Sequence, residues 1–131
     1  MSLELFREYC VRNQLPDDEI NKNDLHWKVV NRFYTNPHLL SLKARDSYRE
    51  VVLGTFSRQI ARIDNVFFCH DGELYIVEVK CTNRYGRGSS NQLRTAYDYV
   101  RDNFRILPNC LDVICNRNGN VASKRLILPC S

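Results

Sequence analysis

A chain of 131 residues is long enough to bury a real core and too short for two typical domains, so one domain spanning 1–131 is expected. With 44% hydrophobic and 26% charged residues the composition excludes wholesale disorder, and no apolar run approaches the roughly 18 residues of a membrane span. The formal net charge of +4 is concentrated between residues 80 and 105, where Lys80, Arg84, Arg87, Arg94, Arg101 and Arg105 face only Asp98 and Asp102; such a segment suits a polyanion such as nucleic acid, or equally a solvated basic helix face.

The opening MSLELFREYC mixes Glu and Arg into its apolar residues and has neither the basic nor the apolar region of a signal peptide, so a cytoplasmic protein with no membrane partner is expected. Within residues 2–13, Leu3, Phe6 and Cys10, with Leu5 and Tyr9, fall at helical spacing. LPDDEINKND breaks this helix. A second starts at Asp24 as N-cap and runs through LHWKVVNRFY, with Trp27, Val30 and Tyr34 as its buried stripe and Pro37 at its end. His26, beside Trp27, reads as a core or surface residue rather than a catalytic one. YREVVLGTF predicts a first strand broken at Gly54.

Past a hairpin over Arg62–Lys80, CTNRYGRGSS reads as a mobile basic loop in which Arg84 and Arg87 are the preferred phosphate contacts, with Arg62 and Arg94 as further candidates and Tyr85 able to stack on bases. Ser89 or Ser90 caps a helix over 90–104 whose inward stripe is Leu93, Ala96, Tyr97, Val100 and Phe104. CLDVIC is a strand, with Asp112 read as a solubilising charge at a sheet edge. NRNGN supplies a turn and SKRLILP a last strand. The order α-α-β-β-β-α-β-β predicts an α/β layered domain. The six cysteines (10, 69, 81, 110, 115 and 130) form no CxxC pair, so reduced thiols are expected rather than zinc or disulfides.

The hairpin RIDNVFFCHDGELYIVEVK carries the chemistry. Alternation puts Glu78 and Lys80 on one face of their strand. A two-residue Asp71-Gly72 loop sets Asp64 opposite Val79, facing away from Glu78. A three-residue loop His70-Asp71-Gly72, with Gly72 left-handed, pairs Cys69 with Glu73 and sets Asp64 opposite Glu78. In that register Val66, Phe68, Leu74 and Ile76 share the face of Asp64, and Ile63, Phe67, Tyr75, Val77 and Val79 take the other. Two carboxyls about 4.5–5.5 Å apart at Cβ repel unless one is protonated or a divalent cation lies between them. The inert alternative is a salt-bridged ladder of Arg62, Asp64, Glu78 and Lys80.

Asp64, a turn, and Glu78-Val79-Lys80 closing the next strand resemble the core of the PD-(D/E)xK nuclease superfamily, the restriction-endonuclease-like fold. The order of elements is similar to that of its small Holliday-junction-resolvase members, and the resemblance runs over roughly Tyr48 to Cys115. It implies a central mixed β-sheet flanked by helices, with helices at the N-terminus, and a homodimeric nuclease hydrolysing phosphodiester bonds in DNA, RNA being open as a second polymer. By position, Asp64 and Glu78 would bind Mg²⁺ or Mn²⁺ with the Val79 carbonyl, Lys80 would position or activate the attacking water, and Gln92 would support the site or the DNA. Ile63 stands where the motif has Pro. The further acid often supplied by the first helix has four candidates here, Glu4, Glu8, Asp24 and Glu50. A catalytically inactive nucleic-acid-binding module of the same fold is the alternative reading.

Overall fold

The computed structural model describes residues 2–55, 57–81 and 87–127, the side chains of Ser2 and residues 87–90 excepted; Arg84, Tyr85 and the side chain of Arg87 lie outside the described residues. The elements follow the expected order: α1 (Ser2–Arg12), α2 (Leu25–Thr35), β1 (Ala44–Gly54), β2 (Gln59–Cys69), β3 (Leu74–Lys80), α3 (Arg87–Phe104), β4 (Asn109–Cys115) and β5 (Val121–Ile127). The strands form one sheet in the order β1-β2-β3-β4-β5. Every neighbouring pair is antiparallel except β3 and β4, which run parallel because α3 carries the chain back between them.

Helices cover both faces, as the apolar character of both hairpin faces requires. On one face α1 and α3 bury Phe6, Cys10, Leu93, Ala96 and Val100 against Val51, Leu53, Val66, Phe68 and Ile76. On the other, α2 buries Val29, Val30 and Phe33 against Phe67, Val77, Val79, Leu111 and Val113. The stripe of α2 is therefore rotated from the expected Trp27, Val30 and Tyr34: the two aromatic residues are only half-buried and lie under the Arg49 guanidinium, 5.6 and 4.8 Å from their ring centres. Asp24 caps α2 as expected, its Oδ1 accepting the His26 N–H at 3.3 Å. Helix α3 begins at Arg87, so Ser89 and Ser90 lie inside it rather than at its cap, and β1 begins at Ala44, four residues earlier than expected.

The β2–β3 turn is the three-residue one. Gly72 has φ +86°, its N–H donates to Cys69 O at 3.0 Å, and the Cys69 N–H donates to Glu73 O at 2.9 Å. The ladder then runs Phe68↔Leu74, Phe67↔Tyr75, Val66↔Ile76 and Asn65↔Val77. Continued by one step, this register sets Asp64 level with Glu78.

Two glycines make a useful contrast. A Cβ on Gly72 meets nothing within 4 Å, so Gly72→Ala carries only the backbone cost of its positive φ, about 1 kcal/mol. A Cβ on Gly54, at φ +96°, comes 2.7 Å from the Arg58 carbonyl oxygen. Gly54→Ala is therefore expected to cost about 2–3 kcal/mol, because the tight β1–β2 turn must open. Urea denaturation midpoints of the two variants check the ranking.

Candidate active site

Four acids lie in one row across adjacent strands. Glu78 pairs with Asp112 and Asp112 with Arg125; the β2–β3 register continued by one step adds Asp64, and Glu50 falls opposite it between the pairs Arg49↔Asn65 and Val51↔Ile63. All four are buried, at 6% exposure or less. Like charges so placed cost free energy unless protons, cations or donors compensate.

Backbone distortion brings Glu50 into the row. Residues two apart on a strand should share a face, yet Arg49 lies over the α2 aromatics while Val51 packs with α1 and α3. The facing inverts across Glu50, whose φ of +51° is left-handed. Its carbonyl accepts the Leu15 N–H at 2.8 Å, and Val52 N–H donates to Asn13 O at 2.8 Å, so the preceding segment holds the kink in place. Strand β2 inverts at the same level: Asn65 Nδ2 donates to Val30 O at 3.0 Å on the α2 face, whereas Ile63 packs with the α1–α3 cluster. The expected grouping of Ile63 with Phe67 and Val77 is thereby corrected.

Asp64 is the hub. Its Oδ2 accepts the Val79 N–H at 2.8 Å and lies 3.2 Å from His26 Nε2. One oxygen each from Glu50 and Asp64 and a ring nitrogen of His26 lie within 4.8 Å of one another. Arg62 Nε approaches Glu50 Oε2 at 3.1 Å, but the angles do not make a hydrogen bond, which leaves that buried oxygen without a donor among the described residues. Burial, then the Asp64 charge, pushes the Glu50 carboxyl above its ordinary range. Burial, the Asp64 charge and a hydrogen bond with Asp64 raise Glu78 to about 9, with Lys80 pulling the other way. Its hydrogen bond to Asp64 raises His26.

These residues fit a divalent cation. An orphaned carboxylate oxygen, an imidazole nitrogen and a shared Asp form a hard oxygen and nitrogen donor set, and ligation would replace the protons that keep like charges together. Both Glu78 and His26 hold protons more tightly than usual, so cation binding should tighten as pH rises. At least about one proton should be released per ion at pH 7, from Glu78, whose carboxyl is raised to about 9. Calorimetry with Mn²⁺ in two buffers of different ionisation enthalpy measures that number.

Beside the acids opens a cleft of about 580 Å³ lined by His26, Gln59, Ile60, Ala61, Arg62, Asp64, Glu78, Asn91, Gln92 and Thr95. Of the residues singled out from sequence, Asp64, Glu78, Arg62 and Gln92 meet at this cleft. Lys80 follows Glu78 closely enough for its charge to act on it, and neither Lys80 nor Arg94 is among the lining residues. Among the four candidate acids only Glu50 joins Asp64; Asp24 caps α2, and Glu4 pairs with Arg7 on α1. Two residues that the sequence did not place beside Asp64 and Glu78 lie next to them. His26, expected at the core or surface, has its Nε2 3.2 Å from Asp64 Oδ2. Asp112 does not stand at a sheet edge: β4 is interior, and Asp112 is fully buried between Glu78 and Arg125, whose Nη2 is 3.4 Å from its Oδ2. The spacing of β3 and β4 across an 18-residue helix was the available signal for that interior, parallel placement.

No family model and no curated protein matches the chain. Among solved structures it is similar to EndoMS in complex with double-stranded DNA, with a TM-score of 0.54 and 16% identity over 77% of this chain and 39% of that one. It is also similar to a repair endonuclease from Pyrococcus abyssi, with a TM-score of 0.49 and 14% identity over 78% of this chain and 40% of that one. The chain thus spans about two-fifths of the length of either. No described helix is long and apolar enough to cross a membrane. At the level of fold, the chain is an α/β protein with a helix-flanked mixed sheet shared with the DNA-bound EndoMS structure.

Proposed function

We propose that the protein is a metal-dependent nuclease of the PD-(D/E)xK kind that hydrolyses phosphodiester bonds in DNA. The observation that carries this reading is Asp64, held by the Val79 N–H at the head of a cleft, with His26 and Glu50 on one side and Glu78 on the other. Asp64, Glu50, His26 and Glu78 would hold Mg²⁺ or Mn²⁺. The cation supplies positive charge to a phosphate oxygen and lowers the pKa of water.

The chain's own groups do the rest. The Val79 N–H fixes the Asp64 carboxylate so that it need not reorganise. Lys80 orients the attacking water and offsets negative charge developing at phosphorus. Arg62, nearly half exposed and already beside Glu50, reaches the strand backbone at the cleft mouth, and Gln92 supports the substrate from α3. The DNA complex of the EndoMS structure supports DNA as the polymer.

The test is incubation of purified protein with supercoiled, linear, single-stranded and junction DNA, and with RNA, in Mg²⁺, Mn²⁺ or EDTA. Cleavage of DNA in metal and none in EDTA is expected. Salt-dependent DNA binding without cleavage in either metal would replace this reading with that of an inactive binding module.

A further inference from the structure

Resting on the nuclease reading, we propose that the cleft beside the acids receives one unpaired nucleobase of the DNA strand being cut, so that the substrate is DNA carrying an unpaired nucleotide next to the scissile phosphate. A phosphodiester presents only acceptors, so it matches guanidinium, ammonium, hydroxyl and amide N–H donors and leaves the carbonyl half of a carboxamide without a partner. Three residues of the cleft wall have a different chemistry. Gln59, Asn91 and Gln92 are exposed carboxamides, each offering a donor and an acceptor, and Thr95 stands beside them with a hydroxyl that donates to Asn91 O at 2.9 Å. Paired donors and acceptors are what the edge of a nucleobase calls for.

The same wall carries Ile60, 54% exposed, two positions before Arg62, which is ion-paired with Glu50. A large apolar side chain at the mouth of a polar cleft is out of place against phosphate or water and in place against the flat face of a base. The carboxamides come from two elements, Gln59 from the start of β2 and Asn91 and Gln92 from the first turns of α3, so they converge on the cleft from both sides. The volume, about 580 Å³, lies within the usual range for small-molecule sites, about 300–1,000 Å³, and has room for a nucleotide. In a duplex the Watson–Crick edge of each base is turned to its partner and its faces are stacked, which leaves only the groove edges open. A base reaches this cleft only when it has no partner, and unpairing is least costly where the strand is already single, bulged or flapped.

The experiment uses one duplex sequence in three forms: fully paired, with a single bulged 2-aminopurine, and with an abasic residue at the bulge. Two readouts are independent. Binding in EDTA is followed by 2-aminopurine fluorescence, and cleavage is followed in Mn²⁺. The base-bearing bulge is expected to be bound and cut at least about tenfold better than the abasic one, with a fluorescence change on binding. Gln59→Ala and Asn91→Ala, both at exposed positions, should each shrink the base-to-abasic ratio to within about threefold. Equal handling of base and abasic bulges, or an unchanged ratio in both variants, overturns the proposal and leaves the cleft a backbone groove. Failure of the nuclease reading looks different: no form is cut in metal, while the fluorescence arm still reports whether the base enters. Neither fluorescence change nor binding of any form overturns both.

Discussion

In the absence of metal, Glu78→Gln is expected to make the protein more stable, by about 2–3 kcal/mol at pH 8, and to leave it nearly unchanged at pH 5. Burial and the Asp64 charge raise the Glu78 carboxyl from 4.5 to about 9 in the folded state. Between those values the folded protein holds a proton that the unfolded chain has released, so stability falls as pH rises through the window. The penalty is absent below about 4.5 and complete above about 9, with a slope of at most about 1.4 kcal/mol per pH unit. Glutamine removes the ionisation while its amide still donates to Asp64, as the protonated carboxyl does. Glu50 and His26, both raised, slope the same way, so the variant should retain a shallower decline with pH. Thermal melts in EDTA from pH 5 to 8 should show a gain of roughly 10 °C at the upper end. Added Mn²⁺ should stabilise the parent and have a much smaller effect on the variant. A variant less stable than the parent at pH 8 would show that the carboxylate is already compensated in the folded protein.

Lys80→Ala is expected to lower the cleavage rate at saturating Mn²⁺ by about 10²–10⁴-fold while sparing the fold. Lys80 is half-buried at the end of β3, and its charge acts on Glu78. On the proposed mechanism, removing it takes away the group that would orient the water and offset charge in the transition state, but deletes no core contact of either apolar cluster. Single-turnover rates with metal titrated to saturation separate this loss from weaker metal binding. Cleavage by the variant at the parental rate would remove Lys80 from the mechanism and point to a contaminating activity.

The hairpin was legible because its information is local. His70-Asp71-Gly72 narrows the loop to two or three residues, and the three-residue form fixes which residues stand opposite one another from Cys69 back to Asn65. Helix α3 and the order of elements along the chain followed from apolar spacing for the same reason. The parts that were not legible depend on contacts distant in sequence. Glu50 reaches the site through a left-handed residue stabilised by backbone hydrogen bonds to residues 13–15, and no period in YREVVLGTF announces it. His26 reaches Asp64, 38 positions away, only because α2 crosses the sheet at that level. The rotated stripe of α2 has a similar origin: Arg49 draws Trp27 and Tyr34 to the margin, which leaves Val29 and Phe33 to fill the core.

The row of acids has a consequence for the protein's lifetime. Four adjacent strands bring buried carboxyls to one level, so that part of the sheet depends for its stability on protons, on a cation, or on partners such as His26 and Arg125. Occupancy at 100 times the dissociation constant adds about 2.7 kcal/mol to the folded state. On the proposed reading, opening of the sheet, and with it exposure to proteases, would then vary with the divalent-cation concentration around the protein, a dependence that limited proteolysis with and without Mn²⁺ would read.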